Sequence, residues 1–255
     1  MLKIENVYFA YAKEYILKDV SMNVGKGDFV AILGSNGAGK STLIKIASGY
    51  IKAQKGSVEL NGKNIYEISP RKLALSRAVL EQDTNLEFNY TVLDTVCLGR
   101  FALSCFFGLN SRSKYIAELA ISKVGLTGFE TKQYLELSGG ERRRVQLARV
   151  LAQILESPEG KLLLLDEPTA NLDPKHSFET MKICKELTTM GTTCVAVVHS
   201  IEHAMNFAGK TAMISQNTLT HFGKTSQVLT EENISTLFDM NCKIIGDNIK
   251  TALLY

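Results

Sequence analysis

Residues 34–42 read Gly-Ser-Asn-Gly-Ala-Gly-Lys-Ser-Thr, an instance of the pattern Gly, any four residues, Gly, Lys, then Ser or Thr. No other stretch restricts the fold as much, because this pattern requires a strand directly before it and a helix directly after it. Phe29 to Leu33 is an unbroken apolar run of strand length, and Thr42 to Ala47 carries Leu43, Ile44 and Ile46 at helical spacing. Gly34, Gly37 and Gly39 allow a backbone path that side chains would obstruct, so that successive N–H groups converge on phosphate oxygens at the start of a helix. The expected nucleotide-binding set is therefore Gly34, Ser35, Asn36, Gly37, Ala38, Gly39, Lys40, Ser41 and Thr42. Lys40 would reach the β and γ phosphates of ATP, and the Ser41 hydroxyl would face Mg²⁺.

A chain of 255 residues with 45% hydrophobic content can bury a substantial core and is long for one plain domain, so one domain with an insertion is expected. The net charge of +3 is small and the basic residues are dispersed, which argues against a nucleic-acid partner. Cys97, Cys105, Cys184, Cys194 and Cys242 are widely spaced and form no Cys-x-x-Cys pair. They are expected to be buried thiols of a reducing compartment, neither disulfides nor zinc ligands. No stretch approaches the roughly 20 apolar residues of a membrane span, and the N-terminus carries no signal core. A soluble chain is expected.

Residues 2–9 and 15–24 alternate apolar and polar positions, with Gly25 and Gly27 as breaks, and predict antiparallel strands ahead of the loop. Gly56 to Asn64 reads as a hairpin turning at Asn61-Gly62. Such strands could form a platform for adenine, with Tyr11 either stacked on the base or in ordinary packing. Pro70 to Arg77 is helical, and Ala78 to Glu81 is a strand stopping at Gln82, which could ligate Mg²⁺ or position water, or else be a solvated loop residue. From 84 to 158 the pattern turns helical, with helices over Thr91 to Leu98, Lys114 to Val124 and Glu141 to Leu155. Leu137-Ser138-Gly139-Gly140-Glu141 is a second Gly-rich turn feeding a helix, readable as an anion site or as a plain helix cap. Arg142, Arg143 and Arg144 follow, and such a charge run predicts a solvated face.

Leu162 to Leu165 is a buried-strand run ending in Asp166 and Glu167. Carboxylates at the C-terminal end of a parallel strand lie where open α/β sheets bind ligands. Asp166 would hold Mg²⁺ through water, and Glu167 would polarise an attacking water. Val195 to Val198 is another apolar strand, ending at His199, which would sit near the γ-phosphate or serve as a hydrogen-bonded structural histidine.

Together these motifs resemble the ATP-binding subunits of ABC transporters over residues 2 to 225, the Leu137 to Glu141 pentad matching the family signature. The resemblance implies an α/β fold: a phosphate-loop, RecA-like core with an antiparallel β subdomain and an inserted α-helical subdomain, divided as 1–84 and 159–255 for the core and 85–158 for the helices. It implies that Tyr11 stacks on adenine, that Glu167, His199 and Gln82 are catalytic, that Ser138, Gly139 and Gly140 bind nucleotide across a dimer, and that Ser41, Gln82 and Asp166 serve the metal. Asn171-Leu172-Asp173 matches the D-loop, although Asn171 stands where Ser is frequent and Ser200 where Asp is frequent. The expected assembly is a homodimer with two transmembrane permease subunits, fed by a periplasmic or surface substrate-binding protein, at the cytoplasmic face of the inner membrane. Thr91 to Val96 with Gly99-Arg100 is similar to importers of ferric siderophores, haem and cobalamin. Ser138 to Gln153 and the stretch Ile154 to Lys161 are most similar to haem importers. A soluble, non-transport ATPase of the same family is the alternative from another class. Residues 226–255 are too few for the regulatory domain of sugar importers.

Overall fold

Leu2–Tyr11 (β1) and Glu14–Val24 (β2) alternate apolar and polar residues, as strands do that bury one face. The computed structural model, which describes residues 1–82, 89–103, 110–245 and 251–254, pairs them antiparallel. Phe29–Gly34 (β3) leads through the phosphate loop into Lys40–Ala47 (α1). Lys55–Leu60 (β4) then joins β1, and Lys63–Asn64 (β5) closes a sheet of order β2-β1-β4-β5. The β4–β5 turn falls on Asn61 and Gly62, both at positive φ, as a two-residue hairpin requires.

Pro70–Ser76 (α2) precedes Arg77–Leu80 (β6). Three helices follow: Val92–Cys97 (α3), Ser111–Lys123 (α4) and Gly139–Ile154 (α5). The chain continues through Leu162–Asp166 (β7), Pro174–Thr189 (α6), Thr193–Val197 (β8), Ile201–Phe207 (α7), Lys210–Ser215 (β9) and Thr218–Lys224 (β10). It ends with Thr225–Val228 (α8), Glu231–Phe238 (α9) and a hairpin of Cys242–Ile245 (β11) with Thr251–Leu254 (β12).

The second sheet runs β10-β9-β3-β8-β7-β6, parallel except for β10. Its central strands are apolar at nearly every position because both faces are covered. Ala31, Leu33, Leu163, Leu165 and Ala196 face the layer that includes α3, α4, α5 and α6. Val30, Ile32, Leu162, Leu164, Val195 and Val197 face α1 and the antiparallel sheet. Each fully buried Leu contributes roughly 1.5–3 kcal/mol, so the register that divides them between two cores is strongly specified. Within α1, Leu43, Ile44 and Ile46 point inward, as their spacing predicts.

Cys97, Cys184, Cys194 and Cys242 are buried free thiols, and burial pushes the Cys97 thiol up to about 11. Cys105 lies outside the described residues. Among those described, no helix is long and apolar enough to cross a membrane. The consequence for function is topological. Strands β3, β6, β7 and β8 run in one direction, so the residues that follow them gather at a single edge.

Candidate nucleotide site

The phosphate loop leaves β3 where side chains have no room. A Cβ at Gly34 would lie 2.3 Å from the Ile214 carbonyl oxygen. At Gly39, with φ of 94°, a Cβ would lie 2.5 Å from the Ile16 carbonyl oxygen on β2. Glycine is required there on both grounds. Gly39 is also the N-cap of α1 and offers no side-chain acceptor to the first-turn N–H groups, which suits them to an anion. Lys40 folds back across the loop, its Nζ donating to the carbonyl oxygens of Gly34 at 2.9 Å and Ser35 at 2.8 Å. Burial lowers its pKa, opposed by the carboxylates of Glu167 and Asp166.

Across the sheet edge, the Ser41 hydroxyl donates to Asp166 Oδ1 at 3.1 Å. Asp166 is 2% exposed. Burial is the main cause that raises its pKa, the Glu167 charge adds to it, and the Ser41 hydroxyl and Arg143 oppose it. Glu167 follows at φ 49°, a left-handed conformation uncommon for a residue with a side chain. Its Oε1 lies 2.7 Å from Nε2 of His199, and its Oε2 accepts from Nε2 of Gln82 at 3.4 Å. Gln82, Glu167 and His199, expected separately at the ends of three strands, thus meet in one cluster.

The Ser138–Glu141 turn is a reciprocal cap of α5. Ser138 Oγ accepts from the Glu141 N–H at 3.3 Å, and Glu141 Oε2 accepts from the Ser138 N–H at 2.8 Å. These bonds to Ser138 hold the Glu141 carboxyl below its ordinary pKa. A Cβ on Gly139 would meet nothing within 4 Å, and one on Gly140 would lie 3.0 Å from the Asn171 carbonyl oxygen. Among the described residues, no hydrogen bond or ion pair joins this turn to the phosphate loop of the same chain. Asn171 has φ of 61°, and Asp173 caps α6 by accepting from the His176 N–H at 3.0 Å. Tyr11, at the tip of the β1–β2 hairpin, is 51% exposed and stands edge-on to Phe9 at 4.9 Å. The same hairpin contributes Ile16 and Leu17, which pack on Gly39.

The solvated arginine face is corrected by the structure. Arg144 donates to the carbonyls of Val124 and Gly125, Arg142 to that of Leu135, and Arg143 is only 7% exposed. The Arg143 guanidinium donates to the carbonyl oxygens of Glu81 at 2.7 Å, Gln82 at 3.1 Å and Glu167 at 2.8 Å, and also to that of Asp166. A signal for it was present. Arg143 shares its helical stripe with Gln146, Leu147 and Val150, all buried, and periodicity outweighs charge where a carbonyl cluster lies beneath.

A family model described as ABC transporter matches residues 17–170. The hemin import ATP-binding protein HmuV of Deinococcus radiodurans is 37% identical over 237 residues, 93% of this chain and 89% of that one. That of Gloeobacter violaceus is 38% identical over 248 residues, 96% and 90% respectively. Among solved structures, a metal-chelate type ABC transporter in an inward-facing conformation superposes with a TM-score of 0.82 at 28% identity, covering 100% of this chain and 96% of that one. A dimeric ATP-binding cassette in a post-hydrolysis state, bound to ADP and Pi, gives 0.77 at 28% identity over 88% of this chain and 99% of that one.

Proposed function

The chain belongs to the ABC transporter family as one of its ATP-hydrolysing members, and from that premise we propose that it powers the import of haem. The cargo rests on one observation, the similarity over more than nine-tenths of the chain to hemin import ATP-binding proteins. The motor works at the cytoplasmic face of the membrane as a homodimer beneath two permease subunits, which receive haem from a binding protein outside.

The hydrolytic role rests on the cluster at the sheet edge. Glu167 takes a proton from the attacking water, while His199 and Gln82, which touch its two carboxylate oxygens, keep it aimed at the γ-phosphate. Lys40 and the uncapped first turn of α1 hold the phosphates. Mg²⁺ fits the adjoining donors, since a hydroxyl and a carboxylate whose pKa is raised chiefly by burial supply hard oxygens side by side. Ser41 and Asp166 would hold it, with Gln82 nearby, and it would neutralise charge on the phosphate oxygens. Ser138, Gly139 and Gly140 serve the nucleotide of the second subunit, a role suited to an N-terminus that, among the described residues, makes no hydrogen bond or ion pair to its own phosphate loop.

Tyr11 is assigned to adenine because it is exposed on the hairpin that packs against Gly39. Tyr11→Ala is expected to weaken ATP binding by about 1–2 kcal/mol, with Phe restoring it. No effect at Tyr11 together with a loss at Tyr15→Ala would move the stacking residue to the other side of the hairpin.

The cargo is tested in vesicles holding this subunit and its cognate permease. ATPase activity should rise with haem-loaded binding protein and not with empty protein. A metal-chelate cargo such as a ferric siderophore or cobalamin is the second reading, favoured by the resemblance to the metal-chelate type transporter. Stimulation by protein loaded with one of those and not with haem would leave the importer and overturn haem. A soluble ATPase of the family is excluded if the subunit sediments with membranes only when the permease is present.

A further inference from the structure

Parallel pairing of β6 with β7 ends at Leu80 and Leu165. The pairing thus stops short of Gln82 and Glu167, whose side chains nonetheless meet. The Arg143 guanidinium bridges the two segments. One terminal nitrogen donates to the carbonyls of Glu81 and Gln82, the other to those of Asp166 and Glu167. We propose that Arg143 is a positioning residue for hydrolysis, setting the backbones of Gln82 and Glu167 from the helix that carries the Ser138 turn.

Three features support this. A guanidinium is a rigid planar fork, so it fixes two pairs of acceptors relative to each other in a way that a lysine ammonium cannot. The side chain is buried, so little water reaches the guanidinium itself to compete for its donors. Glu167 has a left-handed φ, a conformation that persists only where surroundings impose it, and its carbonyl is one of the four that Arg143 binds. Arg143 touches no reacting atom and acts through Glu167. Because it also belongs to α5, five residues after Ser138, any tilt of that helix reaches the catalytic carboxylate through these bonds. The inference rests on the reading of Glu167 as base.

The test uses the full chain reconstituted with its permease and compares Arg143→Lys, Arg143→Gln and Arg143→Ala with Glu167→Gln. In Arg143→Gln, kcat should fall on the order of 10²-fold, with KM, affinity for a fluorescent ATP analogue and thermal midpoint nearly unchanged. Arg143→Lys should recover only a small part of the loss. Methylguanidinium added to Arg143→Ala should restore turnover, a response that a merely structural role would not give. Wild-type kcat in folded Arg143→Gln, or parallel loss of kcat, nucleotide affinity and folding in all three variants, overturns the role. If Glu167→Gln itself keeps wild-type turnover, the base assignment falls and this inference falls with it. If Glu167→Gln is inactive while the Arg143 variants are not, this inference alone is lost.

Discussion

Replacing Glu167 with Gln is expected to leave ATP binding intact and to lower turnover by about 10²- to 10⁴-fold, the usual range for loss of a positioned general base. The amide has nearly the shape of the carboxylate, so the contacts with His199 and Gln82 can be kept in rearranged form. The ability to accept a proton is lost. The Lys40 bonds to the loop carbonyls and the Ser41–Asp166 bond do not involve the Glu167 side chain, which is why binding should survive the change. With ATP bound and no hydrolysis to remove the γ-phosphate, two subunits should stay closed, and size-exclusion chromatography with ATP should show a dimer that the wild type does not accumulate. Steady-state hydrolysis near the wild-type rate would assign the base to another group.

A pair of substitutions is expected to separate the two Gly-rich turns. Lys40→Ala removes a buried ammonium that binds the Gly34 and Ser35 carbonyls across the mouth of the loop. Hydrogen bonds to a charged group are worth about 1.5–3 kcal/mol each, so the isolated subunit should lose ATP affinity by on the order of 10- to 100-fold or more. Ser138→Arg places bulk at a turn with no hydrogen bond or ion pair to that loop among the described residues. It removes the Ser138 cap of α5, at a cost of about 0.5–2 kcal/mol in stability. Equilibrium binding to the monomer should be nearly unaffected, while hydrolysis should be lost if, as proposed, Ser138 serves the nucleotide of a second subunit. Equal loss of monomer affinity in both variants would sink the idea that Ser138 acts across a dimer.

The phosphate loop could be read from the chain because everything it needs is local. The apolar run, the glycines and the helix lie within Phe29 to Ala47, and the conformations of Gly37 and Gly39 follow from residue type. The strand ending in Asp166 and Glu167 was legible for the same reason, since a strand covered on both faces must be apolar along its length. The reciprocal cap at Ser138 and Glu141 is equally local, a four-residue signal that needs no distant partner.

Contacts across strands were decided by the tertiary structure. Gln82 and Glu167 are separated by 85 positions, and nothing near either residue specifies that β6 lies beside β7 and β7 beside β8. That order depends on how the two faces of the sheet bury their alternating side chains, a property of all the strands at once. Arg143 shows the limit most plainly. Beside Arg142 and Arg144 its charge predicts solvent, because an isolated buried guanidinium is costly. Only the folded chain gathers the four carbonyls, at the ends of two strands, that offset this cost. Residue type and spacing therefore determined the loop, the strand-end acids and the caps, whereas the closing of these parts into one site was set by the packing of strands that are distant in sequence.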